Sequence, residues 1–359
     1  MEARPGIMPT VRKPSTRSWA LGLFALILVA AFVVSLSLGS VSIPLKEVFG
    51  ILLGKPTLRA SWTTIILNFR LTKALTAALA GAALSVAGLQ MQTMFRNPLA
   101  DPFILGINSG ASLGVALAVL AIGATGSILL AGISTAGDLG LALAASIGAG
   151  LVLGLILLVG RQVKNPTTLL ILGLMFGYAA SALTSLLIYF SLPERIQAYT
   201  VWSYGSFSGV TWGQLMVMAP VILAGLAMTI FLPKPLNALL LGEEYARSMG
   251  VDVRWTRVFI LLSASILAGT VTAFCGPIGF IGVAVPHLCR NLLRSANHKL
   301  LLPASALLGA ALALIADVLA QLPGSQFVLP INVVTSLFGA PFVVWVIIRQ
   351  RKGRTSFSI

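Results

Sequence analysis

Hydrophobic residues along this chain come in blocks rather than in narrow stripes. Uncharged runs cover Trp19–Gly39, Ala74–Phe95, Leu139–Gly160 and Asn165–Pro193. Each has the roughly 20 apolar residues needed to cross about 30 Å of hydrocarbon at about 1.5 Å per residue. Backbone groups find no water there, so the runs must be helices. The pattern predicts helices over residues 19–39, 74–95, 103–125, 139–160, 167–190, 214–232, 258–274, 278–292, 300–320 and 331–348.

Residues 258–289 are ambiguous. They form one uncharged stretch interrupted by Cys275-Gly276-Pro277-Ile278-Gly279, which at about 48 Å is too long for one upright crossing and short for two. The basic residues decide it. A single crossing puts Arg290, Arg294, Lys299, Arg349, Arg351, Lys352 and Arg354 outside. Two crossings place them inside, with Arg4, Arg12, Lys13, Arg17, Arg161, Lys164, Lys234, Arg247, Arg254 and Arg257, as the positive-inside bias favours. The expectation is an all-α integral membrane protein of about ten transmembrane helices, two of them short or broken, with both termini cytoplasmic. Residues 1–17 and 350–359 are expected as basic cytoplasmic tails flanking a ten-helix transmembrane domain at 18–349.

Composition agrees. Hydrophobic residues make up 57% of the 359 and charged residues only 9%, with a mean hydropathy of +0.98, whereas soluble domains carry about 25% charged residues. The 35 glycines suit closely packed helices. The net charge of +15 lies in short clusters between apolar runs, which is topology information and not a nucleic-acid patch. The first apolar run lacks an Ala-x-Ala cleavage site and reads as a retained helix. Intramembrane acids are scarce: Asp317 is the clearest, with Asp138 at a helix end. A proton- or sodium-coupled carrier needs a chain of buried ionisable groups, so energy is expected to enter from a partner. Cys275, Cys289, His287 and His298 have no metal-ligand spacing, and no metal site is expected.

Several segments resemble the permease family of ABC importers for iron-siderophores, haem and cobalamin. They are Gly81-Ala82-Ala83-Leu84 with Gly88-Leu89-Gln90; Arg96-Asn97-Pro98-Leu99-Ala100-Asp101-Pro102 with Leu105-Gly106 and Ser109-Gly110-Ala111; Leu241-Gly242-Glu243-Glu244 with Ala246-Arg247-Ser248-Met249-Gly250; Gly279-Phe280-Ile281-Gly282 with Pro286-His287 and Arg290; Leu302-Pro303 with Ala316-Asp317; and Gly339-Ala340-Pro341-Phe342. The matches run in family order over most of the chain. The resemblance implies a permease subunit and no enzyme: ten helices, a second permease subunit (identical or a paralogue), two cytoplasmic ATPase subunits and an extracytoplasmic binding protein, in a bacterial inner membrane. No Gly-x-x-x-x-Gly-Lys-Ser/Thr loop occurs here, so ATP and its Mg²⁺ belong to the ATPase and no cofactor is expected on this chain. Ferric siderophore is the expected cargo, with haem or cobalamin as alternatives; a secondary transporter is the remote one.

The resemblance also assigns residues. Leu241, Gly242, Glu243, Glu244, Ala246, Arg247 and Gly250, within an element at about 236–252, are implied to couple to the ATPase; the plain alternative is a capped surface turn. Arg70 and Lys73 are implied to meet acidic residues of the binding protein, although long basic side chains also snorkel to lipid phosphates. The sequence reads Arg70-Leu71-Thr72-Lys73 where the family usually has Arg-Leu-Pro-Arg, and Gln321 where it often has a basic residue. Pro166 and Thr167 are implied to form a cytoplasmic gate, or an ordinary tight connection. Asn97 and Pro98 suit the N-cap and first turn of the third helix, and Pro286 and His287 read as structural. Trp202, Tyr204 and Trp212, in an outer segment at 191–213 that also holds Glu194 and Arg195, suit an interfacial aromatic belt.

Overall fold

A computed structural model describes residues 18–39, 41–55, 57, 59–121, 135–160, 166–321 and 328–355. The expected N-terminal tail lies outside them. In chain order the helices are α1 (Ser18–Ser37), α2 (Leu45–Leu52), α3 (Ala60–Met94), α4 (Ile107–Ala116), α5 (Thr135–Gly160), α6 (Pro166–Tyr189), α7 (Pro193–Ser203), α8 (Trp212–Met228), α9 (Pro233–Leu241), α10 (Glu243–Ser248), α11 (Val253–Cys275), α12 (Ile281–Leu293), α13 (His298–Ala320) and α14 (Ile331–Thr355). Among the described residues, seven helices are long and apolar enough to cross a membrane, and shorter apolar helices add to them. Each block predicted from the sequence contains a helix where it is described, but residues 278–280 are irregular backbone ahead of α12, and a 3₁₀ turn over Pro102–Leu105 with left-handed Gly106 precedes α4. α14 runs on to Thr355, into the stretch expected as a C-terminal tail.

The bundle is organised around α3. Almost every residue from Thr72 to Met94 is buried, and α13, α11, α12 and α8 pack around it. Small residues allow this. A Cβ on Gly81 would lie 2.2 Å from the Gly309 carbonyl oxygen of α13, and one on Gly88 would lie 1.9 Å from that of Gly282 in α12. Two helix axes therefore approach α3 backbone to backbone, as expected where packing rather than hydrophobicity holds apolar helices together. The outer helices behave oppositely: α1 and α5 turn Leu26, Val29, Leu143, Ile147 and Leu151 outward, the surface a lipid solvent favours.

The stretch 258–289 is resolved unevenly. α11 is a full 23-residue helix and only α12, with 13 residues, is short, so one of the two is truncated rather than both. The break has positive φ at Gly276 (72°) and Phe280 (68°). The second is costly for an aromatic residue and is supported from three sides. The Cys275 carbonyl accepts from the Ser206 amide at 2.7 Å, Asn332 Oδ1 accepts from the Gly279 amide at 3.1 Å, and Gly339 leaves room for the Phe280 ring.

Candidate coupling surface and its anchors

Residues 233–252 fold as two short helices joined by one glycine. Gly242 has φ 117° and ψ 157°, a region open in practice to glycine alone. Gly250, with φ 82°, closes the second turn, and Asp252 caps α11 by accepting from the Trp255 amide at 3.0 Å. Ala246 is fully buried beneath α10. Glu243 pairs with Arg257 of α11 and lies 3.9 Å from Arg247. Leu241, Glu244, Tyr245, Arg247 and Met249 point outward, with Trp255 beside them. The two adjacent acids thus divide: Glu243 ties α10 to α11, and Glu244 faces out. A surface of apolar knobs and charge on a short, internally fastened segment is what a protein partner can grip.

Behind this surface sits His298, fully buried at the first position of α13, two residues ahead of the helix predicted over 300–320. Its backbone amide donates to Asn237 Oδ1 at 2.9 Å, and ring Nδ1 lies 2.8 Å from the same oxygen. Ring Nε2 lies 2.8 Å from Thr93 Oγ1 at the end of α3. Sequence reading missed Asn237 and Thr93, whose polarity, in the middle of α9 and at the end of α3, was the available signal.

The same end of α3 is shaped by the Arg96–Pro102 motif. Arg96 takes a left-handed φ of 48° and ends the helix, its guanidinium standing 3.9 Å from where a Cβ on Gly242 would be. Asn97 does not cap the next helix. Its Oδ1 accepts from the Leu99 amide at 3.0 Å within a turn. The cap and first-turn proline fall four residues on, at Asp101, which accepts from the Phe103 amide at 2.9 Å, and at Pro102, which opens a 3₁₀ turn. Asn and Asp cap equally well, and backbone geometry decides between them. The Pro98 carbonyl accepts from His287 Nε2–H at 2.9 Å, and Arg290 donates to Gln92 Oε1. Asn97-Pro98 and Pro286-His287 are therefore neighbours.

Nearer the other end of α3 lie Arg70 and Lys73, the residues implied to meet the binding protein. Both are buried. Arg70 donates to the carbonyls of Leu36 and Ser37 at 2.8 Å, and to that of Val41, closing the C-terminal end of α1, whose last carbonyls lack helical partners. Lys73 pairs with Asp317 at 2.9 Å, and Gln321 Nε2 donates to the same carboxylate at 3.1 Å. In the single chain these are internal struts, not exposed charges, because α1 and α13 close over them.

Pro166 is the first residue of α6 and Thr167 follows it; the preceding connection, 161–165, lies outside the described residues. In the outer segment 191–213, Trp212 Nε1 donates to the Leu67 carbonyl at 3.0 Å and Arg195 to that of Leu120 at 3.1 Å. Cys275 and Cys289 are free, buried thiols. No group of three or more potential metal ligands occurs among the described residues.

The sequence profile of the FecCD transport family matches residues 27–349. The chain belongs to that family. Among FecCD relatives it is similar to the hemin transport system permease HmuU of Yersinia pestis (36% identity, 93% of this chain and 97% of that protein). Similar too are the vitamin B12 import permease BtuC of Klebsiella pneumoniae (36%; 94% and 95%) and the Fe(3+) dicitrate permease FecD of Escherichia coli (35%; 80% and 86%). A solved structure described as a metal-chelate type ABC transporter in an inward-facing conformation superposes with a TM-score of 0.79 at 31% identity. That match covers 92% of this chain and 99% of the other. The chain is thus a multi-pass ABC importer permease.

Proposed function

We propose that this FecCD permease works in a bacterial cytoplasmic membrane as the transmembrane subunit of an ATP-driven importer of ferric siderophore, receiving its cargo from an extracytoplasmic binding protein. It pairs with a second permease, identical or paralogous, and with two ATPase subunits that hold ATP and Mg²⁺. The observation that carries the reading is the folded, outward-facing segment Leu241–Gly250 in a chain of this family. Glu244, Tyr245, Arg247 and Met249 contact the ATPase, while Gly242, Glu243, Ala246 and Gly250 fix the shape of the contact. The turn at Pro166 and Thr167 gates the pathway on the same side. The binding protein docks at the opposite end, where Arg70 and Lys73 brace the surface from beneath.

Iron is favoured by the relatives named for hemin and ferric dicitrate. The relative named for vitamin B12 supports cobalamin as the second reading. The test is uptake into liposomes holding the permease, its ATPase and its binding protein, offered a labelled ferric siderophore, ferric citrate, haemin and cobalamin. Ferric siderophore uptake that requires internal ATP is expected. Uptake without ATP would overturn the coupling reading, and uptake of haemin or cobalamin alone would replace the cargo.

A further inference from the structure

His298 touches both the segment that faces the ATPase and the central helix of the bundle. Its hydrogen bonds can be assigned by following donors and acceptors. Asn297 Oδ1 accepts from the Lys299 amide at 3.0 Å, so the Asn237 atom 3.0 Å from it is the amide nitrogen Nδ2. Asn237 Oδ1 therefore faces His298, where it accepts from the backbone amide and from ring Nδ1–H. A neutral imidazole protonated at Nδ1 has a bare lone pair at Nε2, and the Thr93 hydroxyl is 2.8 Å from it.

That hydroxyl has one proton and two acceptors in reach: His298 Nε2, and the Leu89 carbonyl one turn back at 2.9 Å. When the proton points to His298, α3 is fastened to the start of α13 and, through Asn237, to α9. When it turns to Leu89, α3 is released with its donor still satisfied. The Thr93 proton has an acceptor in both positions, whereas the buried Nε2 lone pair is satisfied only in the first, which favours the fastened state.

We propose that His298 is a positioning residue for transport. It links the ATPase-facing segment to α3 through Asn237 on one side and Thr93 on the other, so that movement of α9 is passed to the helix around which the bundle packs. The link rests on the ATPase-docking reading above. Thr93 and Asn237 tune the transfer of motion and touch neither nucleotide nor cargo.

The test uses the full complex of permease, ATPase and binding protein in liposomes, measuring labelled cargo taken up per ATP hydrolysed. Thr93→Val keeps the side chain's volume and removes the hydroxyl. It is expected to lower that ratio about fivefold or more, the lower range of typical coupling between sites, while ATP hydrolysis stays within about twofold of wild type. Thr93→Ser restores the hydroxyl and with it the ratio, which a purely volumetric role does not explain. Asn237→Ala breaks the link from the half-buried side, gives the same loss, and adds little when combined with Thr93→Val. An unchanged ratio in Thr93→Val overturns the proposal. If that variant fails to assemble, an unchanged ratio in Asn237→Ala overturns it. Wild-type complex without ATP-dependent uptake would instead refute the proposed function, so the two failures are distinguishable.

Discussion

Lys73 Nζ stands 2.9 Å from Asp317 Oδ2, joining α3 to α13 across 244 residues of sequence in a chain with nine acids in all. Both side chains are about nine-tenths buried, so neither charge has water to fall back on. Removing one partner leaves the other stranded. Asp317→Ala is therefore expected to cost about 3–5 kcal/mol, while the double change Lys73→Met with Asp317→Leu recovers most of it. Thermal unfolding of the purified permease in detergent reads both. Equal losses in the single and the double variant would show that the pair's charge is not what matters.

The contact of α3 with α12 makes a second prediction. Gly88→Ala puts a methyl group 1.9 Å from a backbone oxygen of Gly282, and neither helix backbone can yield as a side chain would. A loss of about 1–3 kcal/mol or more is expected. Gly150, on the outer face of α5, has nothing within 4 Å of its would-be Cβ. Gly150→Ala is expected to be neutral or stabilising by up to about 1 kcal/mol, because alanine favours helix. Thermal unfolding of the two variants side by side tests the contrast.

The paired acids of the coupling segment should behave differently. Glu244→Ala is expected to weaken ATPase association and leave the melting temperature of the free permease within a degree or two, since exposed substitutions rarely change stability by more than about 0.5 kcal/mol. Glu243→Ala should lower both, because Glu243 holds α10 to Arg257. Pull-down of the ATPase and a melting curve for each variant separate the two roles. Identical behaviour would contradict the division.

Asp101, at the turn between α3 and α4, carries a pH dependence. Burial pushes its carboxyl up to about 6, partly offset by the hydrogen bond from the Phe103 amide. With the folded value above the unfolded one, its contribution is fully present below about pH 4 and is lost as pH rises through about 6. Asp101→Asn keeps the cap acceptor without the charge. Its melting temperature should exceed wild type at pH 7–8, by about 1 kcal/mol in stability for this half-buried side chain, and the gap should close towards pH 4. A gap that does not change with pH would rule the carboxylate out as its cause.

Much of this architecture is legible in the sequence because a membrane span is a long, local signal. The block Leu139–Gly160 announces itself without reference to any other residue, and Gly242 and Gly250 mark the coupling turns by their positive φ. What the sequence hides is pairing over distance. Arg70 and Lys73 are three residues apart and nothing local shows that α1 and α13 cover them, Arg70 bonding the end of α1 and Lys73 pairing with Asp317 of α13. His298 reads as loop because Asn297 and His298 are polar, and only the fold puts Asn237 and Thr93 within bonding distance of its ring. The short helices α2, α7, α9 and α10 carry no spanning signal and so fall between the predicted blocks.

The central claim is that the turn Leu241–Gly250 meets the ATPase on the cytoplasmic side. The direct measurement is cross-linking. Glu244→Cys places a thiol on the exposed face of α10, while the native Cys275 and Cys289 are buried. In sealed inverted vesicles holding the whole complex, an impermeant thiol cross-linker is expected to join Glu244→Cys to the ATPase, and loss of the ATPase should leave the thiol open to labelling. Labelling only from the extracytoplasmic side, with no cross-link, would contradict the account.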